Sequence, residues 1–222
     1  MMVKCAIFDL DGTLVDSMPY WETSAVKLLE KEGIKAEENL CDKFLSMSLP
    51  ESADYLIKTY SLNYSNEEIC QKIDDIMLEN YINYVNIKPH IIDLLESFYN
   101  LGIKMAVASS TDRELIVACL KKLSLDKFFS FITTSTEIGK SKQHPDIYIK
   151  CANHFNVPYN ETMIFEDLPY GIIATKSLGF ITVGLYDKTS EKHQKTLEKY
   201  SKYYFKNIDD SFVKKMIEIA GK

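Results

Sequence analysis

Runs of apolar residues of strand length alternate with amphipathic stretches along much of the chain. The first run, Val3 to Phe8, ends in two aspartates one residue apart, Asp9 and Asp11, followed by Gly12. From Pro89 onward strand-like and helix-like segments alternate, which is typical of a parallel β-sheet. The sequence therefore predicts an α/β fold with a doubly wound, Rossmann-like parallel sheet.

The same pattern predicts the elements that follow Pro89. The predicted strands are 104–108, 129–133, 162–165 and 180–185, and the predicted helices are 90–101, 111–123, 145–155 and one ending at 179. A capping box, Thr111 to Glu114, is the predicted start of the second of these helices. The polar stretch 187–202 is predicted to be a solvated helix whose charges have no function.

Between the first strand and Pro89 the hydrophobic period changes to that of helices. Helices are predicted after Asp16 or Ser17, after Pro50, and at the capping box Ser65 to Glu68. We therefore expect two domains. Residues 1–16 and 86–222 would form the α/β core, and residues 17–85 would form an inserted, all-helical cap domain.

Composition and charge narrow the classes of function. With 222 residues, 46% of them apolar, the chain can build a packed core, and its net charge of −6 with no long basic run gives nucleic acid little to bind. The apolar stretches are of strand length, so neither a membrane span nor a secretory signal is expected. Five scattered cysteines without a Cys-x-x-Cys pair favour reduced thiols and a cytoplasmic location. We expect a monomer.

The two aspartates after the first strand carry the most specific chemistry. A strand holds Asp9 at the carboxyl edge of the sheet, where open α/β folds bind ligands. Asp9 and Asp11 can serve one site only if the chain turns after Asp9, and Gly12 permits that turn. Carboxylates without a neighbouring cation favour a hard metal ion such as Mg²⁺. A calcium loop is disfavoured because Leu14 and Tyr20 occupy the positions where it needs Gly and Glu.

The segment Phe8 to Ser17, with the sequence FDLDGTLVDS, resembles the first motif of the haloacid dehalogenase-like (HAD) superfamily of phosphatases and phosphomutases. The resemblance implies that Asp9 is a nucleophile that is transiently phosphorylated. It also implies that Asp11 is a general acid and base whose backbone carbonyl binds Mg²⁺. Gly12 and Thr13 are assigned to substrate binding. The dehalogenases themselves are disfavoured, because their first motif lacks the second aspartate.

Two further segments match the second and third motifs of this family. Ser109 follows the second core strand, where its hydroxyl, with Ser110 and nearby N–H groups, could hold phosphate oxygens. Lys142 precedes Pro145-Asp146 by three and four residues, which resembles the third motif, whereas Lys140 lacks that spacing. Ser109 and Lys142 are therefore predicted catalytic residues, and Ser110 a substrate-binding residue.

A second pair of acids, Glu166 and Asp167, ends another predicted strand and resembles the fourth motif. Acids at the ends of two parallel strands meet at one sheet edge, and their mutual repulsion is relieved by a divalent ion. We predict Asp167 as a direct metal ligand and Glu166 as a ligand or its hydrogen-bonding neighbour. The predicted metal set is thus Asp9, Asp11, Glu166 and Asp167.

These expectations converge on a Mg²⁺-dependent phosphatase that hydrolyses a small phosphorylated metabolite through an aspartyl phosphate, with the cap closing over the site and choosing the substrate. The alternative enzyme is a phosphomutase of the β-phosphoglucomutase type. Such a relative has Gly and Arg in a cap loop where this chain has Ser46 and Leu49, and leucine cannot hold a second phosphate. A non-enzymatic phosphometabolite-binding protein is the third possibility, and the intact motif set argues against it.

Overall fold

The computed structural model describes residues 2–44 and 47–221. These residues divide into two compact units. One consists of Met1–Asp16 and Asn86–Lys222 and contains the strands, and the other, Ser17–Val85, is helical. Within the described ranges, every helix is too short or too polar to cross a lipid bilayer.

A parallel sheet forms the centre of the first unit. Its strands over the described residues are β1 (Cys5–Phe8), β2 (Lys104–Ser109), β3 (Phe131–Thr134), β4 (Thr162–Glu166), β5 (Ile181–Leu185) and β6 (Tyr203–Phe205). They lie in the order β3-β2-β1-β4-β5-β6, and every neighbouring pair is parallel. The predicted α/β, Rossmann-like fold is therefore confirmed, although the short edge strand β6 was not predicted.

The helical unit contains α1 (Met18–Lys31), α2 (Leu40–Phe44), α3 (Leu49–Tyr60) and α4 (Asn66–Asn83). The predicted capping box at Ser65 and Glu68 is present at the start of α4, and a second one, at Ser48 and Glu51, starts α3. Apolar side chains of all four helices share one core, which includes Leu29 and Leu56. Ser46, which was aligned with a cap-loop residue of the mutases, lies outside the described residues.

The helices of the first unit are α5 (Ile91–Asn100), α6 (Arg113–Lys122), α7 (Ser135–Ile138), α8 (Asp146–His154), α9 (Pro169–Lys176), α10 (Glu191–Tyr200) and α11 (Asp210–Ala220). The predicted strands and helices of this part agree with the observed ones to within four residues at their ends. Helices α7 and α11 were not predicted, since α7 has a single turn and the C-terminal stretch was not assigned.

Two sequence-based expectations in this unit are wrong. The capping box at Thr111 does not form: α6 begins at Arg113, its N-cap Asp112 makes no side-chain cap bond, and the Thr111 hydroxyl is bonded to Asp11 instead. The stretch 187–202 is not uniformly solvated either. Helix α10 occupies its centre, but Asp187 is 5% exposed and forms an ion pair with Lys88.

Buried packing at the centre of the sheet fixes the position of β1. All four residues of β1 are fully buried, as expected for a central parallel strand covered on both faces. The Phe8 and Phe165 rings stack with centroids 4.4 Å apart, and Asp9 N donates to Phe165 O across 3.0 Å. The residues that follow β1 and β4 are therefore held side by side on a rigid base.

Candidate active site

The loop after β1 makes the turn that the sequence predicts. Gly12 has a φ of +73°, a conformation that residues with a Cβ rarely adopt. Its N–H donates to Val15 O across 3.0 Å, and Leu14 N donates to Leu10 O across 2.9 Å, so the loop is closed by its own backbone. Asp9 and Asp11, on either side of Leu10, are both buried.

Asp9 is held in one orientation by two donors. Leu10 N donates to Asp9 Oδ1 across 2.7 Å, and Lys142 Nζ lies 2.7 Å from the same oxygen. Burial raises the pKa of Asp9 to about 7, and Glu166 and Asp11 add to the rise while Lys142 opposes it. The carboxylate is thus desolvated and in contact with a cation.

Lys142, rather than Lys140, reaches the carboxylates. Its ammonium also lies 2.9 Å from Glu166 Oε1, and the same oxygen accepts a 2.6 Å hydrogen bond from Tyr148 OH. Burial alone would lower the pKa of Lys142, but Asp9 and Glu166 raise it above its ordinary value. Lys140 instead forms an exposed ion pair with Asp146.

Three of the predicted metal ligands form one carboxylate cluster. Among the described residues, single oxygens of Asp9, Glu166 and Asp167 lie within 4.8 Å of one another, and all three side chains are buried. Both carboxylate oxygens of Asp167 are buried without a hydrogen-bond partner in the described part of the chain. Burial, with the charges of Asp9, Glu166 and Asp187, raises the pKa of Asp167 well above its usual range. Orphaned buried oxygens beside two further carboxylates are a donor set that fits a hard divalent cation.

A hydroxyl residue just after β2, Thr111, contacts Asp11. Thr111 Oγ1 donates to Asp11 Oδ2 across 2.6 Å, and Ser109 Oγ accepts a hydrogen bond from Thr111 N at 3.1 Å. Ser110 is exposed, and its hydroxyl lies 3.2 Å from that of Ser135. Thr13 Oγ1 is buried and has no partner among residues 2–44 and 47–221.

Four residues of this region were missed by the sequence analysis: Lys88, Thr111, Tyr148 and Asp187. Thr111 could have been found from its place two residues after a core strand, but it was assigned to a helix cap. Lys88 and Asp187 are 99 residues apart and carry no local signal of their contact. Tyr148 has the helical spacing of an ordinary core residue.

The parallel sheet is open, and a buried lysine and buried carboxylates lie at the carboxyl ends of its central strands. This arrangement defines an α/β enzyme with an active site at that edge of the sheet. The family model described as haloacid dehalogenase-like hydrolase matches residues 6–185. The chain belongs to this family, and the resemblance noted for its motifs is confirmed.

Similarity to individual proteins and to a solved structure is consistent with membership of this family. The chain is 25% identical over 177 residues to a phosphorylated carbohydrates phosphatase of Thermotoga maritima, covering 80% of this chain and 82% of that protein. It is 27% identical over 190 residues to a β-phosphoglucomutase of Bacillus subtilis, covering 82% and 83%. The crystal structure of CbbY from Rhodobacter sphaeroides in complex with phosphate matches with a TM-score of 0.81 at 17% identity, over 92% of this chain and 94% of that one, which shows the shared fold.

Proposed function

We propose that the protein is a Mg²⁺-dependent phosphatase that hydrolyses a small phosphate monoester through a phosphorylated Asp9. The observation that carries the proposal is the Asp9 carboxylate itself, which is buried, oriented by Leu10 N–H and Lys142, and grouped with Glu166 and Asp167. A carboxylate that served only the fold would not need this many charges gathered around it.

The charges explain why the groups act together. A phosphate at about 4 Å from Asp9 would meet a repulsion of roughly 4 kcal/mol per pair of unit charges at an effective dielectric constant of 20. Lys142 offsets part of this repulsion. Asp9, Asp167, Glu166 and the backbone carbonyl of Asp11 would hold Mg²⁺, in line with the family resemblance. When bound, this ion supplies charge that stabilises the transferring phosphoryl oxygens.

The proposed reaction has two steps, each with its proton accounted for. In the first, an oxygen of Asp9 attacks phosphorus while the ester oxygen leaves and takes a proton from Asp11. In the second, Asp11 accepts a proton from water, the water oxygen bonds to phosphorus, and the bond to Asp9 breaks. Inorganic phosphate leaves, and the Asp9 carboxylate is restored.

The hydroxyl groups after β2 have two proposed roles. Thr111 orients Asp11 through its 2.6 Å hydrogen bond, so that one carboxylate oxygen faces the leaving group. Ser109 Oγ accepts a hydrogen bond from Thr111 N. With Thr13 and Ser110, Ser109 is proposed to bind phosphate oxygens. The buried Thr13 hydroxyl, for which the structure shows no partner within the residues it describes, supports this assignment, because a buried donor favours a ligand that accepts its hydrogen bond.

The helical unit is the proposed cap. In the sequence it directly follows the loop that carries Asp9 and Asp11. A cap that excludes bulk water would also select the substrate. The Thermotoga maritima relative is named for phosphatase activity on phosphorylated carbohydrates. We extend that class, small phosphorylated metabolites, to this chain.

Two contacts within the helical unit favour hydrolysis over phosphoryl transfer between positions of a sugar. Leu49, at the position where the mutases carry a cap-loop arginine, packs against the apolar core of its own unit. The nearest cation in sequence, Lys43, is 2.7 Å from Glu37 Oε2 and 2.6 Å from Tyr55 OH. A mutase needs a cation for the second phosphate of its bisphosphate intermediate. Here position 49 carries an apolar side chain, and the Lys43 ammonium is already bonded to Glu37 and Tyr55.

A panel of phosphorylated metabolites tests the proposal. Inorganic phosphate released by the purified protein is measured with Mg²⁺ and again after removal of metal with EDTA. We expect release from at least one monophosphate class, its loss with EDTA, and its return on adding Mg²⁺. A protein that binds a phosphorylated compound without releasing phosphate from any member of the panel would support the non-enzymatic alternative instead.

A further inference from the structure

A second buried lysine follows the return of the chain from the helical unit. Lys88 is 8% exposed, and its ammonium donates to Gly12 O at 2.5 Å and to Asp187 Oδ2 at 2.6 Å. The first acceptor belongs to the loop after β1, and the second follows β5. One side chain therefore joins two loops whose strands are separated in the sheet by β4.

The surroundings of Asp187 stabilise its contact with the Lys88 ammonium. It is buried, and its other oxygen accepts hydrogen bonds from Thr189 N at 2.9 Å and Thr189 Oγ1 at 2.6 Å. Burial would raise the pKa of Asp187, but the Lys88 ammonium and the Thr189 donors hold it below its usual value. The pair is thus a charged one with its remaining lone pairs satisfied, the condition under which buried ion pairs persist.

Hydrogen bonds continue from Asp187 to the candidate metal ligand Asp167. Ser190 Oγ donates toward the backbone carbonyls of both Asp167 and Asp187, at 3.3 and 3.2 Å. Gln194 Nε2 lies 3.4 Å from each of the same two carbonyls. The loops after β1, β4 and β5 are therefore connected by one buried polar network that starts at the Gly12 carbonyl.

We propose that Lys88 is a positioning residue of the active site, which holds the Asp11–Gly12 turn in register with Asp167 through its contacts with Gly12 and Asp187. This inference rests on the proposed function, because the expected effect of Lys88 on turnover presupposes that function. In the part of the chain that the structure describes, the Lys88 ammonium bonds Gly12, Tyr186 and Asp187 rather than Asp9, and the proposed reaction gives it no bond-making step. Its effect is on geometry, and a displacement of about 1 Å at reacting groups can cost on the order of 100-fold in rate.

The alternative is that the pair serves only the stability of the fold, and the two roles can be separated by replacing both charges. Buried ion pairs replaced by apolar residues of similar volume commonly leave stability unchanged or higher. We therefore design Lys88→Met/Asp187→Leu, and as a control the same replacement of a more exposed ion pair, Lys4→Met/Glu161→Leu. The control removes an ion pair of 2.8 Å that lies before β1 and β4, at the other edge of the sheet.

Three measurements decide between the two roles. Urea unfolding checks that each variant is folded, steady-state kinetics on the best substrate of the panel gives kcat and KM, and hydrogen–deuterium exchange of residues 9–17 is followed without metal or substrate. For Lys88→Met/Asp187→Leu we expect kcat to fall about 10- to 100-fold with KM little changed, and faster exchange in the 9–17 loop. The control should show neither effect.

A folded double variant with kcat within about twofold of the wild type would overturn the inference, as would unchanged exchange of the loop. Should that variant fail to fold, Lys88→Gln keeps a donor beside Asp187 without the charge or the reach to Gly12, and the same outcomes apply to it. A wild-type protein without turnover on any phosphate ester would refute the proposed function alone, because loop exchange still tests the role of Lys88.

Discussion

The Thr111 hydroxyl donates a hydrogen bond of 2.6 Å to Asp11 Oδ2, although the two residues are 100 positions apart in the chain. Both side chains are buried, so water does not compete for this contact. A carboxylate held by one oxygen keeps the other in a defined direction. This is the arrangement that a general acid and base requires.

Thr111→Val should lower kcat by about tenfold with little change in KM, the scale of losing one oriented contact that matters most in the transition state. Valine keeps the shape and removes only the donor. Thr136→Val is the control, because Thr136 makes a similar hydrogen bond to Asp112 at the surface. Equal effects of the two substitutions on kcat would contradict the proposed role of Thr111.

Asp9→Asn should abolish turnover and leave the fold intact. The amide nearly preserves the shape of the side chain but removes the nucleophilic oxygen and one negative charge of the cluster. Phosphate release and thermal unfolding, measured on protein free of host phosphatases, test the two parts of this expectation. Activity close to that of the wild type would refute the nucleophile assignment.

The two lysines near Pro145 should respond differently to removal. Lys142→Ala is expected to reduce kcat/KM by a factor of about 100 or more, because the ammonium contacts both Asp9 and Glu166. Lys140→Ala should have little effect, since the ion pair that the described residues show for Lys140 joins it to Asp146 at the surface. The reverse order would show that the third motif was aligned incorrectly.

Hydrolysis and mutase activity can be distinguished by product. We expect net release of inorganic phosphate from monophosphates without any activating bisphosphate, because Leu49 is apolar and Lys43 is paired with Glu37. We expect no conversion of β-glucose 1-phosphate to the 6-phosphate. Formation of glucose 6-phosphate faster than phosphate, followed by a coupled assay, would favour the mutase.

Gly171→Ala should destabilise the protein and slow turnover together. An added Cβ would lie 1.9 Å from Tyr148 OH, so the phenol that donates to Glu166 has to move. Overpacking of this kind costs about 1–3 kcal/mol of unfolding free energy. Gly102→Ala is the control: nothing lies within 4 Å of its added Cβ, but its φ of +71° strains the backbone, so stability should fall with kcat unchanged.

The elements, and the placement of the main candidate residues at the ligand edge of the sheet, could be predicted because their signals are local. A buried strand is a continuous apolar run, and in a parallel sheet the residue after it lies at the ligand edge, which is how Asp9, Ser109 and Asp167 were found. Contacts between distant segments have no such signal. Lys88 and Asp187 each look like ordinary surface charges in the sequence, and only the fold brings them together.

Short elements were missed for a related reason. Helix α2 and strand β6 are five and three residues long, too short for a hydrophobic period to develop. Thr111 illustrates a different failure, since threonine before an acidic residue matches a helix cap equally well. Its hydroxyl instead donates a charge-assisted hydrogen bond to the buried Asp11 carboxylate, and α6 begins two residues later, at Arg113.

The backbone bonds at the base of the helical insertion bear on how the chain folds. Asp16 N donates to Asn86 O at 2.9 Å and Lys88 N to Leu14 O at 3.0 Å, so the chain leaves the sheet and returns to it at nearly the same point. An unstructured insertion of this length would add a loop-closure penalty of a few kcal/mol to the pairing of β1 with β2. Helical contacts are local, and proteins rich in local contacts fold fast. We therefore expect the helical segment to bring its own two ends together early and so to shorten the search by which β1 and β2 find each other.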